Sequence, residues 1–238
     1  MSVSRRRFLQ GIGTSAGALA AAAVVPEGLT DAFAASSPAT PTTTPNAALR
    51  RLAAGNKRFV NGTQRHPRRD GKRRAALAEG QAPYAVVLGC ADSRVPPEVI
   101  YDEGLGSIFA VRVAGNTGAD PLVVGSIEYS ISVLGSAVVV VLGHQECGAV
   151  KAAIDVEKNG TQLPGDLPAV VAPILPVVQS LSGTPDDELL DAVIKANVHN
   201  AVAELSANDL IAAAIGAGTV QVVGREYLLK SGRVVTVP

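Results

Sequence analysis

The sequence is poor in the aromatic residues that often fill a large core, and it lacks the excess of basic residues that would attract a polyanion. It contains no tryptophan, and aromatic residues make up only 3% of the chain. Alanine, valine and glycine must therefore fill the interior, which suits close packing of helices on a sheet. Basic and acidic residues are equal in number, at 21 each, so the strong field of a nucleic-acid-binding protein is not expected. With only two cysteines, a framework of several disulfides is also excluded.

The N-terminal residues resemble an export signal rather than part of a fold. Residues 4–9 read SRRRFL, a twin-arginine pattern, and a weakly apolar run follows over residues 11–25. This run is too short for a comfortable membrane span, and residues 32–34 offer a small-x-small cleavage site. We expect residues 1–34 to be a twin-arginine signal peptide and the protein to reach the periplasm, the cell wall or the medium, without a stable membrane span after cleavage. The alternative is an uncleaved membrane anchor with a basic stub.

The rest of the chain predicts one α/β domain. Residues 35–45 form a Ser/Thr/Pro-rich linker, and residues 46–238 form the domain. Apolar strands, at residues 84–89, 108–113, 137–142 and 219–223, alternate with helical patterns at residues 47–59, 72–78, 122–134, 148–158, 185–206 and 207–215. This alternation predicts a mostly parallel central sheet flanked by helices, with an N-terminal helical arm. Residues 160–176, which contain four prolines, are predicted to form a loop, and residues 233–237 to complete a hairpin.

Both cysteines and one histidine follow predicted strands. Cys90 comes directly after the strand at residues 84–89, and His144 and Cys147 follow the strand at residues 137–142. Ligand sites of parallel sheets lie beyond the carboxyl ends of the strands, so these three residues are expected to meet. Two thiolates and one imidazole make a tetrahedral zinc site with an open fourth position, which is typical of catalytic zinc. The alternative is two small core cysteines and a helix-capping histidine.

The motifs around these residues resemble those of the beta-class carbonic anhydrases, in the bacterial branch. The match includes CADSRVPPE, RVAGN, SIEY, LGHQECGAVKA and VVGREYLLKSGRV, and it covers nearly all of residues 46–237. The resemblance implies an enzyme, a zinc-dependent carbonate dehydratase, which is a lyase. It would reversibly hydrate carbon dioxide to bicarbonate through a zinc-bound hydroxide. One Zn²⁺ per chain would be held by Cys90, His144 and Cys147.

The same resemblance assigns a catalytic role to Asp92 and Arg94. Asp92 would either pair with Arg94 or move onto the zinc as a further metal ligand and close the site. Physical chemistry agrees, because a carboxylate beside the nucleophile can accept its proton, while an unpaired one would coordinate the metal. Arg94, two residues further on, can hold the carboxylate through a bidentate pair. The alternative is a surface ion pair, which contributes little.

Four further residues are assigned to the substrate pocket by resemblance. Gln81 would donate a hydrogen bond to a substrate oxygen, and Phe109 and Tyr129 would line the pocket, partly across a dimer interface. Gly148 would leave room beside the last zinc ligand. The alternatives are an ordinary loop residue at Gln81 and plain core aromatics at Phe109 and Tyr129.

Two other functions remain open from the sequence. The first is a hydrolase of carbon disulfide or carbonyl sulfide on the same scaffold, and the second is a non-catalytic zinc- or bicarbonate-binding protein. A homodimer or homotetramer is expected. The N-terminal helix carries an apolar stripe, and we expect that stripe to pack on a neighbouring subunit.

Overall fold

A five-stranded sheet organises residues 43–237, the part of the chain that the computed structural model describes. The strands are β1 (Ala85–Gly89), β2 (Ile108–Arg112), β3 (Val138–His144), β4 (Gln221–Tyr227) and β5 (Val234–Thr236). Their spatial order is β2-β1-β3-β4-β5, with every pair parallel except the antiparallel edge pair of β4 and β5. The predicted mostly parallel sheet is confirmed. The predicted signal peptide, residues 1–34, and most of the predicted linker lie outside the described residues.

Helices cover both faces of this sheet. They are α1 (Pro45–Val60), α2 (Gly71–Ala76), α3 (Pro97–Ile100), α4 (Pro121–Ser132), α5 (Gly148–Asn159), α6 (Leu167–Val171), α7 (Leu175–Ser180), α8 (Asp186–Ala207) and α9 (Asp209–Gly216). Single 3₁₀ turns occur at Leu77–Glu79 and Ala114–Asn116. Among residues 43–237, no helix combines the length and the apolar character needed to cross a membrane.

The core consists of two apolar layers, one on each face of β3. Val138, Val140 and Leu142 point into the layer that also contains residues of α1, α5, α6 and α7. Val139 and Val141 point into the other layer, which contains residues of α4 and α9. Helix α8 contributes side chains to both layers. Because β1 and β3 are buried on both faces, they read as continuous apolar runs rather than as alternating strands.

Helix α1 begins at a capped proline. The Thr44 hydroxyl accepts a hydrogen bond from the Ala47 N–H, and Pro45 occupies the first helical position, where a missing N–H costs nothing. The helix therefore starts inside the segment predicted to be a linker. Ala48 and Leu52 are buried against the chain's own core. Other residues of the stripe stay half-buried or exposed, among them Ala53. The packing of this stripe on a neighbouring subunit therefore stays a prediction.

Two predictions were wrong in detail. The proline-rich stretch over residues 160–176 contains α6 and the start of α7 rather than a continuous loop. Pro168 and Pro176 each occupy the second position of a helix, where the backbone N–H has no intrahelical partner, so they start helices instead of breaking them. Strand β4 extends to Tyr227, four residues beyond the predicted end.

Candidate metal centre and active site

A candidate metal centre lies at the carboxyl ends of β1 and β3. Cys90 directly follows β1, and His144 is the last residue of β3. Gly89 pairs with Leu142 in the parallel register, so the residues that follow leave the sheet at the same edge. Cys147 occupies the N-cap position of α5. The parallel pairing of two buried strands thus brings together residues that are far apart in the sequence.

Contacts with the end of β4 fix the turn between His144 and Cys147. The Gln145 N–H donates to the Tyr227 carbonyl at 3.1 Å, and the Gln145 side-chain oxygen accepts from the Leu229 N–H at 3.2 Å. His144 and Cys147 are 0% and 1% exposed. The anchored turn therefore directs both side chains into the protein rather than into solvent.

The donor atoms of Cys90, His144 and Cys147 lie within 4.8 Å of one another. His144 Nδ1 lies 2.8 Å from the Gln145 carbonyl oxygen, which assigns the ring proton to Nδ1 and leaves the lone pair on Nε2. Nε2 is buried and, among residues 43–237, has no hydrogen-bond partner. Metal-binding histidines are oriented by a bond of this kind from the other ring nitrogen. The donor set therefore fits a metal that accepts two thiolates and an imidazole, as Zn²⁺ does.

The two thiols act as a coupled pair. A hydrogen bond from Cys147, with further ones from the N–H groups of Asp92 and Gly115, holds the pKa of the Cys90 thiol well below its usual range. The bond to Cys90, together with burial, raises the pKa of the Cys147 thiol. The pair thus shares a proton, and a metal cation can take the place of that proton because cysteine binds metals as the thiolate.

Asp92 and Arg94 form an ion pair at the edge of this centre. Arg94 Nε lies 2.9 Å from Asp92 Oδ1, and Arg94 Nη2 lies 2.6 Å from Asp92 Oδ2. These hydrogen bonds lower the pKa of the Asp92 carboxyl to about 2. The Asp92 oxygens are not part of the three-atom donor set. The structure therefore holds Asp92 in its arginine-paired position and presents three candidate ligands rather than four.

Arg112 holds the loop that carries this pair, a role that sequence reasoning missed. Its Nε donates to the Cys90 carbonyl at 2.9 Å, and its Nη2 donates to the Asp92 carbonyl at 2.6 Å. Arg112 opens the RVAGN motif, which was noted for its resemblance alone. Nothing in its spacing indicated that the last residue of β2 reaches back across the sheet edge.

The predicted substrate residues do not surround the donor set within one chain. Gln81 is exposed and precedes the amino end of β1, whereas Cys90 follows the carboxyl end. It lines a groove of about 500 Å³ together with three arginines, Arg51, Arg68 and Arg73.

Phe109 and Tyr129 contact each other on the opposite face of the sheet from the donor set. Their ring centroids are 6.3 Å apart, and Phe109 packs against the layer formed with α4 and α9, whereas Cys90 and Cys147 belong to the other layer. Gly148 is exposed, and a Cβ added there would meet no atom within 4 Å. Within residues 43–237, no contact thus demands a small residue at Gly148.

Comparison with known proteins decides the family. The profile of the carbonic anhydrase family matches residues 85–234. The chain is 45% identical over 197 residues to "Carbonic anhydrase 2" of Mycobacterium tuberculosis, which covers 82% of this chain and 94% of that one. It is 41% identical to a carbonic anhydrase of Mycolicibacterium smegmatis, with the same coverage of both chains.

The solved structures agree. A tetrameric beta-carbonic anhydrase of Sordaria macrospora is 25% identical, with a TM-score of 0.64 over 80% of this chain and 94% of that one. A beta-carbonic anhydrase of Aspergillus fumigatus is 28% identical, with a TM-score of 0.63 over 80% and 89%. The chain belongs to the beta-class carbonic anhydrases. As a carbonic anhydrase it is an enzyme, a zinc-dependent lyase, and both the fold and the enzyme class expected from the sequence are confirmed.

Proposed function

We propose that this carbonic anhydrase reversibly hydrates carbon dioxide to bicarbonate with one Zn²⁺ held by Cys90, His144 and Cys147. The observation that carries the proposal is the buried donor set, in which His144 Nε2 lacks a hydrogen-bond partner within the described part of the chain while Nδ1 is fixed by a carbonyl. Two thiolates and an imidazole suit zinc, and three protein ligands leave one position open for chemistry. The names of the mycobacterial relatives support the same activity.

When bound, zinc supplies an acidified water at near-neutral pH. The chain's own residues orient the reactants. Because the pKa of Asp92 is about 2, its carboxylate stays ionised throughout the physiological range and can accept a hydrogen bond from the attacking water. Arg94 fixes the direction of that carboxylate and keeps it away from the donor set. Arg112 holds the loop backbone on which Asp92 stands.

The substrate pocket is proposed to be shared between subunits. Gln81, Phe109 and Tyr129 lie away from the donor set of their own chain, so they could line only the pocket of another copy. Helix α4 supports this arrangement, because it exposes Leu122 at 82% and Tyr129 at 37%. The tetrameric relative of Sordaria macrospora also supports assembly. We therefore propose a homodimer or homotetramer.

A stopped-flow assay of carbon dioxide hydration, with zinc content measured on the same purified protein, tests the function. The wild type is expected to hydrate carbon dioxide. Arg94→Ala frees Asp92 to occupy the open metal position, and it is expected to lose about 10²-fold or more in kcat/KM, the scale of losing a positioned catalytic side chain. Zinc content should not change, because Arg94 is not a ligand. Lys158→Ala, which removes only an exposed ion pair with Asp186, is the control and should leave the rate unchanged.

The same samples separate the alternatives. Turnover of carbon disulfide or carbonyl sulfide in place of carbon dioxide would assign the protein as a hydrolase. Zinc binding without turnover of any of these gases would assign it as a binding protein. Hydration by Arg94→Ala at a near-native rate would refute the role given to the Asp92–Arg94 pair.

We also propose that the protein is exported by the twin-arginine route. The support is the SRRRFL pattern and the small-x-small site within residues 1–34, which lie outside the described residues. Fractionation of cells, with N-terminal sequencing of the product, tests this. An uncleaved chain found only in the cytoplasm would contradict export.

A further inference from the structure

The 3₁₀ turn Ala114–Asn116 touches the metal centre through one peptide group. The Gly115 N–H lies 3.4 Å from Cys90 Sγ and donates to it. Gly115 and Asn116 have φ angles of 79° and 46°, both in the left-handed region. A Cβ at Gly115 would lie 2.8 Å from Ile174 Cδ1 and 3.2 Å from Ala149 Cβ. This conformation is intrinsically unfavourable for most residues, so surrounding contacts must maintain it.

One such contact comes from the middle of α8. Asn197 is 2% exposed, and its Nδ2 donates to the Gly115 carbonyl oxygen at 2.8 Å. Its neighbours on the buried side of α8 are apolar, including Val193 and Val198. A buried amide without a partner is costly, so an asparagine is suited to this position only because it makes this bond.

We propose that Asn197 is a positioning residue of the metal centre, which holds the Gly115 turn so that the Gly115 N–H donates to the Cys90 thiolate. Asn197 of α8 donates to the Gly115 carbonyl oxygen, and the Gly115 N–H donates to Cys90 Sγ, so two hydrogen bonds connect α8 to the sulfur through one residue. An N–H donor at a thiolate sulfur stabilises the deprotonated form that binds a metal, and it draws charge from the sulfur. The inference rests on the zinc site of the proposed function.

A purely structural role would give a different result. Any buried hydrogen bond contributes to stability, so Asn197 variants should unfold more easily under either interpretation. Only a positioning role predicts a specific change at the sulfur–metal bond. The test therefore needs variants matched for loss of stability, together with a signal from the sulfur itself.

The experiment compares Asn197→Asp and Asn197→Ala with two controls in the full-length protein. The aspartate has nearly the size of asparagine but no N–H to donate, and the alanine serves if the aspartate variant does not fold. Asn200→Ala removes an exposed amide of the same helix, which donates to Glu204 rather than to the Gly115 turn. Val193→Ala removes apolar packing from a fully buried position of α8, and it removes no hydrogen bond, because a valine side chain forms none.

Zinc affinity is measured by competition with a chelator, and the thiolate-to-metal absorption band is recorded with Co²⁺ in place of zinc. Both Asn197 variants are expected to bind zinc 10–100-fold more weakly, the usual cost of losing a partner that orients a ligand. Their Co²⁺ band should move to longer wavelength, because the sulfur retains more charge. Asn200→Ala and Val193→Ala should leave the band in place.

Two results would overturn the inference. One is an unchanged zinc affinity and band in both Asn197 variants. The other is an equal change in Val193→Ala, which would show that loss of packing alone explains the effect. A wild type that binds no zinc would instead overturn the proposed function, so the two failures are distinguishable.

Discussion

At the scale of single residues, Glu226 combines near-complete burial with an unpaired oxygen. The side chain is 2% exposed, and its Oε1 has no hydrogen-bond partner among the residues that the structure describes. Burial raises the pKa of this carboxyl, and the charge of Asp191 adds to the rise, while Lys195 and His144 oppose it. Ionised Glu226 therefore opposes folding, in contrast to Glu103, whose carboxylate accepts hydrogen bonds from Arg51 and Tyr84.

Glu226→Gln is expected to stabilise the protein at pH 7–8 by about 1 kcal/mol, the scale of a buried polar group without a partner. The pKa of Glu226 in the folded state lies above its value in the unfolded state, which is about 4.5, so between these two pKa values the folded protein binds more protons than the unfolded protein. The free energy of unfolding of the wild type should therefore fall as the pH rises from about 4.5 to the folded-state pKa. The stability advantage of the variant should disappear below about pH 4.5. Denaturant unfolding of both proteins across pH measures this.

Glu103→Gln is the matched control, and it should destabilise the protein at neutral pH because it weakens a paired carboxylate. A Glu226→Gln variant that is less stable than the wild type at pH 8, or equally shifted at all pH values, would contradict the interpretation.

The residues of the site differ in how far the sequence could reveal them. Cys90, His144 and Cys147 could be predicted because their positions follow from local strand ends and from the rule that parallel strands end at one edge. Arg112 and Asn197 could not, because each acts on a backbone carbonyl far away in the sequence, and such a contact leaves no residue pattern. The positions of Gln81 and Phe109 relative to the donor set likewise depend on packing, not on spacing.

At the scale of elements, α8 lies close to the sheet because β3 and β4 each place a glycine, without a side chain, beneath it. A Cβ at Gly143 of β3 would lie 2.5 Å from Val198 Cγ2, and one at Gly224 of β4 would lie 2.8 Å from Val198 Cγ1. Val198 thus fills a slot above two glycines on neighbouring strands. Gly143 directly precedes His144, so the spacing of α8 from β3 also affects the metal centre.

Gly143→Ala is expected to destabilise the protein by about 1–3 kcal/mol, the usual cost of overpacking, and to weaken zinc binding through its neighbour His144. Gly216→Ala, at an exposed helix end where a Cβ meets nothing within 4 Å, is the control. Val198→Ala should partly rescue Gly143→Ala, because it removes the clashing methyl groups. Unfolding curves of the wild type, the two single variants and the double variant measure the coupling free energy between positions 143 and 198. Additive changes in the free energy of unfolding would show that Val198 does not limit the space above Gly143.

Element types were largely predictable from the sequence, but their ends were not. Apolar runs identified β1 and β3 because both faces of each strand are buried. The end of β4 was missed because Gly224, Arg225 and Glu226 break the apolar pattern, and their strand conformation comes from pairing with β3 and β5. Prolines were interpreted as breakers in residues 160–176, although two of them occupy helix starts.

At the scale of the whole molecule, the proposed shared pocket makes a prediction about mixed assemblies. Cys147→Ser disables the donor set of a chain, and Gln81→Ala removes the proposed substrate contact that the chain offers to its partner. Each variant alone should be nearly inactive. Co-expressed, they should regain activity well above the sum of the two, because one pocket of a mixed pair contains an intact donor set and an intact Gln81.

Hydration assays on separately purified and co-purified variants measure this effect, with light scattering to confirm assembly. Mixing two samples of the same variant is the control and should restore nothing. A fully active monomer, or co-purified variants with no gain, would show that Gln81 does not act across an interface.

The closeness of the two sulfurs has a consequence for durability. Cys90 and Cys147 are unbridged, and their sulfurs lie within 4.8 Å, with Cys90 favoured as thiolate, the form that oxidants attack. In an oxidising compartment, such as the one proposed for this protein, a chain stripped of metal would be open to bridging between them. The metal would then protect the two thiolates from oxidation as well as serve as a cofactor. Chelation in air would cause a loss of zinc-binding capacity that added zinc alone does not reverse. Thiol titration before and after chelation, with and without a reductant, would reveal such bridging.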